Sequence, residues 1–253
     1  MLTNPYVWHT HVTTYDAGPD QTMRLSSILK LQQEVGEMQL AEVNAGYRDQ
    51  LKNGMAFVLT RTNVEIYRAP ELGEKIAIKT WPRGTKGAQF FRCYEIYAEA
   101  DGQLLTSSVS AFALVDPVEH KILRPQMFED TFRLGFDLEL TTSCPDPKKW
   151  APPVPTAPVA QVTVNHSDTD WNHHLNNTVY ADLLTDYMPD GQAFDKRIVA
   201  FAIEFMREAL PLETLDIAAC AVPTEVGGES YVVGSHERGE CFRAKALWKR
   251  PIL

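Results

Sequence analysis

The chain has 253 residues, with 24 Lys or Arg against 33 Asp or Glu and a formal charge of −9. Its length suits one large domain or two of roughly 100–125 residues, and its acidity excludes any general attraction to nucleic acid or an anionic membrane. Cys93, Cys144, Cys220 and Cys241 are scattered without a Cys-x-x-Cys pair, which speaks against zinc and a secreted disulfide scaffold and for a reducing cytoplasm.

Met1–His11 has neither the basic nor the apolar stretch of a signal peptide, and no run approaches the roughly 18 apolar residues of a membrane span. Thr22–Val43 then carries Ile28, Leu31, Val35 and Met38 near helical spacing, and predicts a helix. Four strand-like runs come next: Ala56–Tyr67, Lys75–Trp81, Phe90–Ala98 and Leu104–Val115. Turn signals at Gly84, Gly87 and Asp101-Gly102 separate them, which predicts an antiparallel meander after the helix. Six prolines between Pro145 and Pro158 read as an extended linker. Beyond it the order repeats: a strand at Gln161–Asn165, a helix at Asn176–Tyr187, then strands at Ile198–Phe205, Thr214–Val222, Ser230–Ser235 and Cys241–Lys249.

The letters repeat as well. Val64-Glu65-Ile66-Tyr67-Arg68-Ala69 matches Ile203-Glu204-Phe205-Met206-Arg207-Glu208, and Ile76 and Ile78 match Leu215 and Ile217 at the same offset. Asp20 and Leu25 match Asp170 and Leu175 at a larger one, so the first copy holds an insertion near Gly46 to Gly54. The organisation expected is a duplicated α+β unit: an N-terminal domain over 1–140, a Pro-rich linker over 141–158 and a C-terminal domain over 159–253.

The polar run from His166 to Asn177 is the candidate for chemistry. Asp170, Asn172 and His174 alternate, and on an extended segment alternate side chains share a face. They stand just before a helix start, where unpaired N–H groups favour a developing oxyanion. Capping is the ordinary alternative for Asn176, Asn177 and Asp168. His173 and His174 diverge too far as neighbours to share a metal ion. The second copy alone carries the full set, because Thr22, Arg24 and Ala69 occupy the matching positions of the first and only Asp20 is kept.

Asp170-Trp171-Asn172-His173-His174-Leu175-Asn176-Asn177-Thr178-Val179-Tyr180 resembles the D-x-N-x-H-V-N-N-x-x-Y signature of plant and bacterial acyl-acyl-carrier-protein thioesterases. Ile203–Ala209 is similar to that family's L-E-Y-R-R-E-C segment. Leu59–Arg68 and Ile78–Pro82 are similar to its V-T-R-x-x-V-E-V-Y-R and I-x-T-W stretches. The resemblance covers most of the chain in order. It implies two fused hotdog units, each a long helix wrapped by an antiparallel sheet, with the first shaping an acyl pocket. It also implies hydrolysis of fatty acyl-ACP in fatty acid biosynthesis by Asp170, Asn172, His174 and Glu208; no cofactor and no metal are expected. Asn176, Asn177 and Trp81 are expected at the substrate, and Arg83, Lys86 and Arg92 at the acidic carrier protein. Ala209 stands where the family often has cysteine, so direct attack by water is favoured over a thiolate. An acyl-CoA thioesterase and a non-catalytic acyl-ACP-binding protein are the alternatives, and pairing of two chains through sheet edges stays open.

Overall fold

The computed structural model describes residues 5–134, 140–189 and 196–250. In chain order its first half holds β1 (Tyr6–His11), α1 (Leu25–Glu42), α2 (Tyr47–Lys52), β2 (Ala56–Ile66), β3 (Lys75–Lys86), β4 (Gln89–Ala98), β5 (Leu104–Val115) and α3 (Pro125–Phe132). The second half holds β6 (Ala157–Thr163), a short 3₁₀ turn at His166–Asp168, α4 (Val179–Tyr187), β7 (Arg197–Phe205), β8 (Thr214–Pro223), β9 (Gly227–His236) and β10 (Gly239–Lys249).

The ten strands of the described residues join one antiparallel sheet in the order β1-β3-β4-β5-β2-β7-β10-β9-β8-β6. The order is symmetric about the β2–β7 seam, where Asn63 pairs with Ala202. Those two residues correspond in the sequence repeat, so the seam is a pseudo-two-fold between the copies. This is the arrangement of two fused hotdog units. The apolar face of α1 (Leu25, Ile28, Leu29, Val35) and that of α4 (Tyr180, Ala181, Leu183, Leu184) share one buried core with the sheet, as amphipathic helices on a sheet must.

The two helices differ in length, 18 residues against 9. Pro189 explains the shorter one: Met188 before it is extended, at ψ 138, which ends the helix. Three elements escape the sequence periodicity, namely β1, α2 and α3. The second helix also begins three residues later than expected. Strand β3 runs on past Trp81 through Pro82, which a register shift between Pro82 and Gly84 accommodates. Pro158, expected in the linker, lies in β6. That strand ends the sheet, where a missing N–H costs nothing. Residues 140–156 carry no helix or strand and bind to the sheet. Asn63 Nδ2 donates to the Pro145 carbonyl at 3.1 Å, and Arg243 Nη1 to the Trp150 carbonyl at 2.8 Å.

Candidate active site

Residues 170–175 do not run extended, contrary to the alternation argument. The Asp170 N–H donates to the His174 carbonyl (2.9 Å) and the His173 N–H to the Asp170 carbonyl (3.0 Å), with Thr169 bridged to Leu175. This is a tight turn, and His173 takes the left-handed conformation at φ 62. Asp170 closes it from inside by accepting the Asn172 N–H on Oδ1 at 2.8 Å. Such side-chain-to-backbone bonds compete with extended structure.

The turn forms the rim of a cavity of ≈ 380 Å³ whose wall includes Asp170, Trp171, Asn172, Asn177 and Thr178. The rest of the wall comes from the first half. Phe57, Phe90, Phe112 and Phe128 form an aromatic cluster, with Phe57 4.8 Å from Phe90 and 4.9 Å from Phe128 between ring centroids. Helix α1 supplies Leu29, Gln32, Gly36 and Leu40, and α2 supplies Tyr47 and Gln50.

Helix α2 is the insertion of the first copy, and it reaches the second copy's turn. The Tyr47 hydroxyl donates to Asn172 Oδ1 at 2.6 Å, and the Tyr47 and Trp171 ring centroids lie 3.8 Å apart. Glu37 Oε1 accepts the Tyr47 N–H at 2.9 Å and anchors the helix start. With its oxygen occupied, Asn172 presents Nδ2–H donors as its remaining polar group. Tyr47 escapes sequence reasoning because six residues are too few to show a period, although the mismatch in repeat offset does mark the insertion.

The other expected residues divide. Asn177 lines the cavity, whereas Asn176 acts as a cap: its Oδ1 accepts both the N–H and the hydroxyl of Thr178, each at 2.9 Å. That cap and the bond from the Val179 N–H to the Asn176 carbonyl (2.9 Å) use up two donors expected to face an oxyanion. The Leu175 N–H donates to the Ala209 carbonyl at 2.8 Å, setting the His174 and Glu208 segments side by side. The His174 ring is half-buried, while the Glu208 carboxylate is exposed and lies 3.5 Å from Arg238 Nη1. Neither belongs to the cavity wall. The buried Tyr180 phenol is pushed above its ordinary range by burial first, and then by the charges of groups including Asp170 and Glu208.

Trp81 does not line the cavity. It is buried in a separate cluster with Phe91, Cys93, Val109 and Cys144, its Nε1 donating to the Leu140 carbonyl at 3.3 Å. Arg92, expected on a docking surface, is 7% exposed and forms part of the cavity wall. It sits on a strand whose two faces are both covered. Arg83 is ion-paired to Asp146, which leaves Lys86 as the exposed member of that trio. Three of the four thiols are held far from ionisation, burial pushing Cys93 and Cys144 up to about 12 and Cys241 to about 11, and burial also raises the partly buried Cys220. Among the described residues, no helix is long and apolar enough to cross a membrane.

Comparison with known proteins agrees with this architecture. Residues 4–131 match the acyl-ACP thioesterase N-terminal domain and residues 154–250 the acyl-ACP thioesterase C-terminal domain. A chloroplastic dodecanoyl-[acyl-carrier-protein] hydrolase of Cinnamomum camphora is 25% identical, over 96% of this chain and 66% of that protein. A chloroplastic oleoyl-acyl carrier protein thioesterase of Arabidopsis thaliana is 21% identical, over 90% of this chain and 67% of that protein. The chain thus spans about two thirds of the length of these curated relatives. Among solved structures, an acyl-ACP thioesterase from Bacteroides thetaiotaomicron superposes with a TM-score of 0.82 at 18% identity, covering 96% of this chain and 97% of that one. The 12:0-ACP thioesterase of Umbellularia californica superposes with a TM-score of 0.79 at 19% identity, covering 98% and 94%. With both halves matched in order, the chain belongs to the acyl-ACP thioesterase family.

Proposed function

We propose that this chain hydrolyses the thioester of a fatty acyl group carried on acyl carrier protein, releasing the free acid in a reducing, cytoplasmic compartment. The observation that carries the reading is the cavity: aromatic walls from the first half end on a carboxylate and an amide from the second. Such a cavity takes an apolar tail and leaves the reacting carbonyl at its rim.

In this reading Asp170 takes the proton from an attacking water. Its Oδ1 is tied to the Asn172 N–H, and its second oxygen has no hydrogen-bond partner among the described residues. The Nδ2–H groups of Asn172, with Asn177 beside them, stabilise the tetrahedral oxyanion. His174, supported by Glu208 on the adjoining segment, delivers a proton to the departing pantetheine thiolate. The division of labour is one catalytic C-terminal domain and one pocket-forming N-terminal domain, joined by the proline-rich linker. The carrier protein is acidic, and Lys86 on the β3–β4 turn is the exposed base proposed to meet it. Two copies would associate through β1 or β6, the ends of the sheet.

Fatty-acid release from acyl-ACP of graded chain length, beside matched acyl-CoA, tests the reading. A higher kcat/KM on the carrier substrate is expected. Asp170→Ala should lose about 10²-fold or more in kcat, and Glu208→Ala less. A preference for acyl-CoA would reassign the substrate. Near-native turnover in both variants would remove the proposed site, and binding of acyl-ACP without release would make the chain a carrier-binding protein.

A further inference from the structure

The cavity is not apolar throughout. Between α1, β4 and β5 its wall holds Gln32, Arg92, Tyr94 and Ser110. The Arg92 guanidinium spends only Nη1, donating to Gln39 Oε1 at 2.5 Å and Thr80 Oγ1 at 3.2 Å. Among the described residues its Nε and Nη2 hydrogens meet no acceptor, and no carboxylate lies within ion-pair distance. Tyr94 is 3% exposed, and its hydroxyl makes no hydrogen bond among the described residues. A guanidinium and a phenol, both nine-tenths buried, thus turn unused donors into the same cavity. These donors face the cavity, so a ligand that excludes water from it must supply a partner, because burying polar groups unpaired is costly.

A second observation lies across that space. Gly36 stands inside α1, a helix of 18 residues, where glycine is disfavoured. A Cβ there would approach the Tyr94 hydroxyl to 3.3 Å and Arg92 Cδ to 3.6 Å. The glycine keeps both groups uncovered.

A plain alkyl chain would seal these donors without a partner. A carboxylate-ended chain would meet Glu37, whose charge already acts on Arg92 and which also lines the cavity. A neutral oxygen satisfies the donors without adding charge. We propose that the acyl chain selected by this site carries a hydroxyl or oxo oxygen, held by Arg92 and Tyr94 opposite Gly36. The proposal rests on the reading of the cavity as the acyl pocket, and it specifies which acyl chains that pocket takes. A site built to hydrogen-bond a substrate oxygen discriminates strongly against the analogue lacking it.

The test uses the full chain and acyl-ACPs of one chain length: saturated, hydroxylated or oxidised to the ketone at graded positions, and ended by a carboxylate. For one oxygen position, kcat/KM should exceed that of the saturated chain by about ten-fold or more. Tyr94→Phe and Arg92→Met should erase that preference. Should Arg92→Met fail to fold, Gly36→Ala, which covers the pair without removing it, should reduce the preference instead. The saturated chain hydrolysed best against every oxygenated isomer, or a preference that survives the substitutions, would overturn the proposal. So would a preference for the carboxylate-ended chain. If no acyl-ACP is hydrolysed, the thioesterase reading falls by itself, and calorimetric binding of the free acids decides this one. Tighter binding of a hydroxy acid than of its saturated parent supports it, and equal binding overturns it.

Discussion

Replacing Tyr47 by Phe removes one oxygen atom and keeps the ring that meets Trp171 at 3.8 Å. The lost interaction is the 2.6 Å hydrogen bond to Asn172 Oδ1. Helix α2 keeps its other anchors, the Glu37 bond to the Tyr47 N–H at 2.9 Å and the Gln50 bond to the Ala45 carbonyl at 2.9 Å. Asn172 is exposed at the rim, so water replaces the lost donor in the resting protein, and the stability cost falls near the low end for a hydrogen bond, about 0.5 kcal/mol. In a chain of this size that moves Tm by about 2 °C or less. The kinetic cost is larger, because the amide is then free to present its oxygen where a donor is needed. Loss of about 1–1.5 kcal/mol of positioning corresponds to roughly ten-fold in kcat, with little change in KM because the aromatic pocket is untouched. Steady-state hydrolysis of acyl-ACP by the wild type and Tyr47→Phe, with thermal melts of both, measures it. A kcat within two-fold of wild type, or an effect confined to KM, would refute a positioning role for Tyr47.

Three further outcomes are expected. Arg61 and Glu204 form an ion pair across the β2–β7 seam at 3.2 Å, with side chains 16% and 7% exposed, and Glu204 Oε2 is buried without a partner among the described residues. Arg61→Ala should therefore cost about 3–5 kcal/mol by stranding a buried carboxylate, and Arg61→Met with Glu204→Leu should recover most of it in urea unfolding. Iodoacetamide at neutral pH should leave the folded protein unlabelled at Cys93, Cys144 and Cys241 and fully active, since their thiols are held at about 11 to 12. Glu74 is held below its usual 4.5, first by its hydrogen bonds from Arg68. A depressed carboxylate stabilises the fold above its unfolded value and loses that contribution as pH falls through the lower folded value. Arg68→Gln should thus lower the urea midpoint above about pH 4.5, by progressively less as pH falls, and leave it nearly unchanged only below the depressed value of folded Glu74.

Much of the fold is legible in the sequence because long strands and a long helix leave periods that survive any context. Leu104–Val115 is delimited to the residue, and the duplication shows in matched pairs such as Val64 with Ile203. The elements that escape are those too short to show a period, and α2 carries a residue of the site. The site itself is legible by residue type but not by conformation. Asp170, Asn172 and His174 invite an extended reading through their alternation, yet Asp and Asn are also the residues that close turns on their own backbone, and that preference prevails. Arg92 misleads for a different reason: an arginine is almost always at the surface, and within Phe90-Phe91-Arg92-Cys93-Tyr94 the only contrary sign is the absence of any other charged residue. Trp81 does stand on a strand as expected, but nothing in a sequence tells which face of a sheet covered on both sides a side chain takes.

The two copies separate features that build the turn from those present in one copy alone. Asp20 in the first copy accepts the Thr22 N–H at 3.0 Å, as Asp170 accepts the Asn172 N–H at 2.8 Å. Turn closure by the aspartate is therefore common to both halves and cannot by itself signify catalysis. The copies differ in the residues just after the aspartate and in those that face it. The second copy has an amide and an imidazole where the first has Thr22 and Arg24. Among the described residues, only the first copy has the inserted helix whose Tyr47 engages that amide, together with the aromatic cavity behind it. Each half thus lacks what the other supplies, and the symmetric β2–β7 seam holds the two contributions in register. On the proposed reading, an acyl site at this junction requires the fusion of unlike copies, since two identical first halves would offer a pocket without the amide and imidazole, and two identical second halves would offer those groups without the inserted helix or the aromatic pocket.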